Sequence, residues 1–182
     1  MYQAEHLLIL HPANPETACT QKELITLLKE IQFIDAEEIL SRFQIGDKFL
    51  QQVTFLGCSP NIELSPNGDQ AYVYVEIPQT TSEISFHSGK NLKFPRCPHC
   101  KETLKNIAAD IAEANVINSL SCLACKETFN PLGFNWRKSA FFGKCQVIIG
   151  NIYDAEAVPN ENLLSYLAKL TNDTWKYSYI RR

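Results

Sequence analysis

The chain lacks several things whose absence narrows its chemistry. No apolar run approaches the ~20 residues that a membrane-crossing helix needs. The N-terminal stretch MYQAEHLLILHPANPE holds only the short run Leu7-Leu8-Ile9-Leu10, preceded by a glutamate and a histidine where a basic patch would stand. It does not read as a secretion signal, and a cytoplasmic location with no membrane partner is the expectation. Glycine is scarce, 7 in 182 residues, so a phosphate-cradling loop is hard to place. The GxSxG and HExxH patterns are missing and with them two familiar hydrolase signatures. Cysteine is not scarce, but its count is odd: Cys19, Cys58, Cys97, Cys100, Cys122, Cys125 and Cys145. An odd count without a secretion signal argues against a disulfide framework.

What is present suits a folded α+β protein. Apolar residues make up 45% and charged residues 20%, enough to bury a core. The length fits one domain, or one domain with a small module inserted. Net charge is −3 but unevenly spread. Residues 1–87 carry 4 Lys/Arg against 12 Asp/Glu, residues 88–145 carry 9 against 4, and residues 146–182 carry 4 of each. A basic middle beside an acidic first half marks either a polyanion-binding module or two surfaces that attract each other within the fold.

Along the chain, Glu5–His11 reads as a buried strand. Thr20-Gln21-Lys22-Glu23 is a capping box, and Leu24, Leu27, Leu28 and Ile31 follow at helical spacing, predicting a helix over 21–32. Asp35-Ala36-Glu37-Glu38 repeats the capping logic before Ile39, Leu40 and Phe43, predicting a second short helix. Val53–Gly57 reads as a strand. Asn67-Gly68 between alternating runs predicts a hairpin, with Ala71, Val73, Val75 and Ile77 on one face and Tyr72, Tyr74 and Glu76 on the other. Glu83–His87 and 145–153 read as strands. Pro159–Asn162 opens a helix with Leu163, Leu164, Leu167 and Leu170 on one face, and TWKYSYI closes the chain as a strand. No internal repeat stands out. The two strand–helix–strand halves suggest an α+β sheet with helices on one face, in a ferredoxin-like sandwich. The expected division is a first half of the body at 1–89, an inserted module at 90–143 and the second half at 144–182.

Cys97-Pro98-His99-Cys100 and Cys122-Leu123-Ala124-Cys125 face each other across 21 residues. Each Cys-x-x-Cys turn lets two sulfurs converge on one ion, and two turns complete a tetrahedron. Lys101 and Lys126 follow the turns and offset the negative charge of four thiolates. A lone C-P-H-C also resembles a thiol oxidoreductase motif, but here a second pair competes for the thiols, and SGKNLKFPR before it is no strand. Residues 94–130 resemble a zinc ribbon. The resemblance implies that Cys97, Cys100, Cys122 and Cys125 hold one structural Zn2+, with His99 solvent-facing in its turn. Ribbons serve nucleic-acid binders, transcription and translation factors and interaction modules alike, so the resemblance names a cofactor and leaves the function open.

The other candidates have plain explanations. Cys19, Cys58 and Cys145 read as small packing residues, although Cys58 in LGCSPN could serve a dispersed catalytic site. His6, His11, His87 and His99 are too scattered for a second metal site. Asp35, Glu37 and Glu38 suit a helix N-terminus. Lys93, Arg96, Lys101, Lys105, Lys126, Arg137 and Lys138 form a possible partner or nucleic-acid surface. Phe94, Phe129, Phe134, Trp136, Phe141 and Phe142 interleave with them, either to stack on bases or to form a small core between ribbon and body. With no catalytic constellation legible, the expectation is a non-catalytic zinc-containing binding protein. Its partner would be another protein, itself basic enough to suit the acidic half, in an assembly or an antagonist pair of the immunity type. Nucleic-acid binding through the basic ribbon face, and an enzyme using Cys58, are the alternatives.

Overall fold

The computed structural model describes residues 4–39, 41–56, 63–64, 71–114 and 119–182. The chain runs β1 (His6–Pro12), α1 (Gln21–Glu30), β2 (Ile34–Ile39), β3 (Arg42–Ile45), α2 (Phe49–Gln52), β4 (Val53–Phe55), β5 (Tyr74–Glu76) and β6 (Ser85–Ser88). It continues through α3 (Ile107–Glu113), β7 (Leu120–Ser121), β8 (Thr128–Phe129), β9 (Ala140–Gly143), β10 (Val147–Gly150), β11 (Ala157–Pro159), α4 (Glu161–Thr171) and β12 (Trp175–Arg181). The principal sheet has the order β12-β1-β10-β5-β3-β2, and every neighbouring pair is antiparallel.

Alternation along the central strands builds two cores, because successive side chains leave a strand on opposite faces. Leu8 and Leu10 join Val73, Val75, Val147 and Ile149 under the helices, with Leu24 and Leu28 from α1 and Leu163 and Leu167 from α4. Leu7, Ile9, Tyr74, Ile148 and Ile180 fill the opposite face. The strand-face assignment around Tyr74 and Val75 therefore holds. Gly150 is needed here, since a Cβ would lie 2.4 Å from the Tyr74 ring. Helix α1 starts at the predicted capping box, with the Thr20 hydroxyl and Glu23 side chain each serving the other's backbone. Helix α4 starts at Asn160, whose side chain accepts from the Leu163 N–H, and stops at Asn172 in the left-handed conformation, φ 52°.

One expectation is corrected. The second short helix is instead the β2–β3 hairpin. Ser41 adopts φ 67° and turns the chain back, and its N–H donates to the Glu37 carboxylate at 2.9 Å. Phe43, 1% exposed, pairs with Val75 on β5. Of the carboxylates that resemble a helix start, Glu37 serves the turn and Glu38 accepts from the Tyr72 hydroxyl at 2.6 Å, and tertiary pairing of β3 outweighs the local pattern. Leu40 lies outside the described residues, as do Asn67-Gly68 and their proposed turn. The architecture is mixed α+β as expected. The ferredoxin-like label is narrower than the structure supports, because β3 and β2 extend the sheet to six strands.

A third core lies in the cysteine-bearing segment. Leu104, Ile107, Ile111, Leu120, Phe129, Trp136 and Phe142 pack together with Cys97 and Cys122. Most of the interleaved aromatics are therefore structural, and only Phe94 is exposed among the six. Phe141 turns the other way, onto the sheet, between the stacked rings of His11 and His87 at 4.1 and 4.6 Å. Both ends of the segment are anchored: β6 pairs with β9, and the Lys90 N–H donates to Arg181 O at 2.8 Å. Gly89 permits that approach, since a Cβ there would lie 2.1 Å from the same carbonyl oxygen. The Tyr179 N–H donates to Lys138 O at 2.8 Å, so the segment also covers the outer edge of β12.

Candidate metal centre

The two cysteine turns are built alike. The Cys97 N–H donates to Glu102 O and the Lys101 N–H to Cys97 O, at 2.8 and 3.1 Å. The Cys122 N–H donates to Glu127 O and the Lys126 N–H to Cys122 O, both at 2.9 Å. Lys101 and Lys126 take left-handed φ values of 65° and 66°, which lets each turn fold back after its second cysteine. The likeness has a signal in the sequence, contrary to the expectation that no internal repeat stands out. Residues 97–103 read CPHCKET and 122–128 read CLACKET, a short duplicated motif.

The turns bring the Sγ atoms of Cys97, Cys100, Cys122 and Cys125 within 4.8 Å of one another. Cys97–Cys125 and Cys100–Cys122 stand at 3.8 and 3.7 Å. A tetrahedron of sulfurs around zinc at ~2.3 Å has edges of about 3.8 Å, so the spacing is that of a four-thiolate metal site. With four sulfurs on one ion, no position stays open for a substrate. Amide N–H groups of Cys125 and Ala124 pull the Cys122 thiol down to about 7, favouring the thiolate a metal requires. At Cys100 the Glu102 amide acts in the same direction. Loss of water and the three neighbouring sulfurs outweigh it there, and the thiol is pushed up to about 12. His99 is exposed, with Nε2 3.1 Å from Thr128 O, and stays outside the cluster.

The seven predicted surface cations, Lys93, Arg96, Lys101, Lys105, Lys126, Arg137 and Lys138, are all exposed. Among the described residues the ion pairs are Lys144–Glu16 at 2.7 Å and Arg181–Glu5 at 2.9 Å, so none of the seven is neutralised. Among the described residues, one ion pair, Lys144–Glu16, joins the basic middle to the acidic first half. Three of the seven, Lys93, Arg137 and Lys138, line one cavity of about 350 Å³. Arg137 and Lys138 also border a second, of about 580 Å³, between the segment and the sheet. His11, Trp136, Trp175 and Lys176 help to line it, and none of the described residues around it carries a carboxylate. Lys101 and Lys126 sit on the cysteine turns instead. Cys58 lies outside the described residues. Cys19 and Cys145 are buried as expected, but they also touch, which their 126-residue separation conceals in the sequence. No family model, curated protein or solved structure matches the chain.

Proposed function

We propose that the chain is a non-catalytic binding protein in which one zinc ion braces a ribbon, and that the exposed cations of the ribbon take a polyanionic ligand, nucleic acid being the class to test first. The observation that carries the reading is that all seven cations are exposed and that, among the described residues, none is paired with a carboxylate. Charges without a carboxylate partner can exchange their counterions for phosphates, and that exchange dominates nucleic-acid affinity; Lys101, Arg137 and Lys138 are steadied by Pro98 O, Phe94 O and the Tyr177 hydroxyl, which keep their charge. A neighbouring cavity with aromatic walls, a cationic rim and no carboxylate suits a stacked base beside a phosphate. The zinc holds the two turns that carry Lys101 and Lys126 and leaves the chemistry of the ligand untouched.

A second reading, partnership with a basic protein, is favoured by the opposite end of the sheet. There β2 is, among the described residues, the edge strand of the sheet, with Asp35 and Glu37 exposed. Acidic residues on an edge also serve to block unwanted pairing, which is why this reading ranks second.

The test has two arms. Fluorescence anisotropy with a labelled single-stranded oligonucleotide should give binding that weakens roughly 10-fold or more between 50 and 200 mM salt. The triple reversal Lys93→Glu, Arg96→Glu, Lys101→Glu should abolish it without loss of zinc. A pull-down with and without nuclease distinguishes the partners. Recovery of one basic protein, indifferent to nuclease and to the triple reversal, would transfer the function to the acidic edge.

A further inference from the structure

Cys19 lies just before α1 and Cys145 just before β10. Their Sγ atoms stand 3.0 Å apart, against ~2.05 Å in a disulfide, so about 1 Å of closure separates contact from a bond. The spacing is unlike that of the metal cluster, where sulfurs stand 3.7 and 3.8 Å apart. Both cysteines are buried, at 8% and 4% exposure. The seam around them is already fixed. Lys144 pairs with Glu16 at 2.7 Å, the Thr81 N–H donates to Lys144 O at 3.0 Å, and the Thr17 hydroxyl donates to Asp173 at 2.8 Å. Bringing the sulfurs together thus requires no rearrangement of distant elements.

From this geometry we infer that Cys19 and Cys145 form a disulfide in the presence of a peroxide, stapling the segment before α1 to the start of β10. The roles are asymmetric. The Cys19 S–H donates to Cys145 Sγ, which lowers the Cys145 thiol and raises that of Cys19. Cys145 is therefore the attacking sulfur and Cys19 the resolving one. The Cys145 thiolate attacks a peroxide oxygen, breaking the O–O bond, and becomes a sulfenic acid as one water leaves. Cys19 sulfur then attacks the sulfenic sulfur, its proton and the hydroxyl leaving as a second water. In sum, two thiols and one hydrogen peroxide give one disulfide and two waters. A small oxidant suits a site with so little exposed sulfur. The inference is independent of what the ribbon binds.

The experiment uses the full chain with zinc bound and Cys58→Ser. Hydrogen peroxide is added in stoichiometric steps. The protein is then quenched with N-ethylmaleimide under denaturing conditions and mapped without reduction by mass spectrometry. The expected product is one cross-linked peptide pair joining Cys19 and Cys145, two hydrogens lighter, with zinc retained and full reversal by dithiothreitol. Closing so long a loop should raise the Tm by roughly 10 °C. Cys19→Ser should give no cross-link and leave Cys145 to oxidise further. The inference is overturned if both cysteines remain alkylatable at peroxide doses that already release zinc, or if Cys145 in the Cys58→Ser protein reaches the sulfinic acid with no cross-link. The mapping needs no variant at either cysteine, so a folding defect in Cys19→Ser would not blunt it.

Discussion

Cysteine sulfurs converge at two places in this molecule, and the two differ in almost every respect. In the ribbon, four sulfurs come from two turns of like sequence, spaced to surround an ion. Between the segment before α1 and the start of β10, two sulfurs come from distant parts of the chain and stand too close to leave room for one. The ribbon's own core is the smaller of the two, and on the proposed reading a metal would brace it. The body has sheet, helices and a large apolar cluster, and its cysteine pair only reinforces a seam that other contacts hold. The same side chain is thus a foundation in one place and a fastener in the other.

The sharpest way to break that contrast is to remove a ligand. Cys97→Ser or Cys122→Ser should drop zinc content from one per chain to near none and unfold the ribbon. Structural zinc contributes on the order of 10 kcal/mol in small zinc-dependent peptides. Trp136, buried in the ribbon core, reports this loss by a red-shifted emission, best read in a Trp175→Phe background. If metal content and emission both stay unchanged, the four-thiolate reading is wrong.

A core truncation in the body should do the reverse. Leu24→Ala, at a fully buried position under the sheet, should cost about 3 kcal/mol and lower the Tm by about 10 °C while zinc content holds. Atomic absorption beside a thermal melt reads both quantities at once.

Acid should distinguish the regions as well. Burial lowers the His11 pKa to about 4, with the hydrogen bond to Pro12 O opposing. The unfolded chain, titrating near 6.5, then binds more protons between these values. Stability is complete above pH 6.5, falls as pH drops toward 4 and levels below that, by up to about 3 kcal/mol. His11→Phe keeps a ring against Phe141 and should reduce this slope, the remainder falling to His87, whose pKa burial also lowers, so that His11→Phe with His87→Phe should flatten it. Zinc release in acid, which follows thiolate protonation, should be unaffected. A slope that survives both substitutions would assign the acid sensitivity elsewhere.

The smallest effect belongs to the capping box. Thr20→Ala should cost about 1 kcal/mol, visible as a Tm shift of a few degrees with no change in metal.

How legible the molecule was in its sequence depended on how local each cause is. The α1 boundary follows from Thr20 and Glu23, three residues apart, and the α4 start from Asn160, so both could be read directly. The metal cluster follows from two spacings of the same kind. The β2–β3 hairpin was misread because its deciding partner, β5, lies some thirty residues downstream, beyond the reach of a local pattern. The contact of Cys19 with Cys145 had no local signal at all. One signal was present and passed over, since C-x-x-C-K-E-T occurs twice. The odd cysteine count argues against a disulfide framework, and the six described cysteines are free thiols, four in the cluster and two in contact.

The place of β1 in the sheet has a consequence for the order in which the protein takes shape during synthesis. β1 is made before the other strands of its sheet, yet it lies between β10 and β12 and is paired along its whole length with β12, about 170 residues later. At ~5–20 residues per second, a ribosome needs roughly 10–30 s to reach that partner. The ribbon's cysteine turns lie only about 25 residues apart and can capture metal well before then. Nascent chains would thus carry a finished zinc module beside an apolar strand still waiting for its neighbours, an interval in which a ribosome-bound chaperone has something to hold.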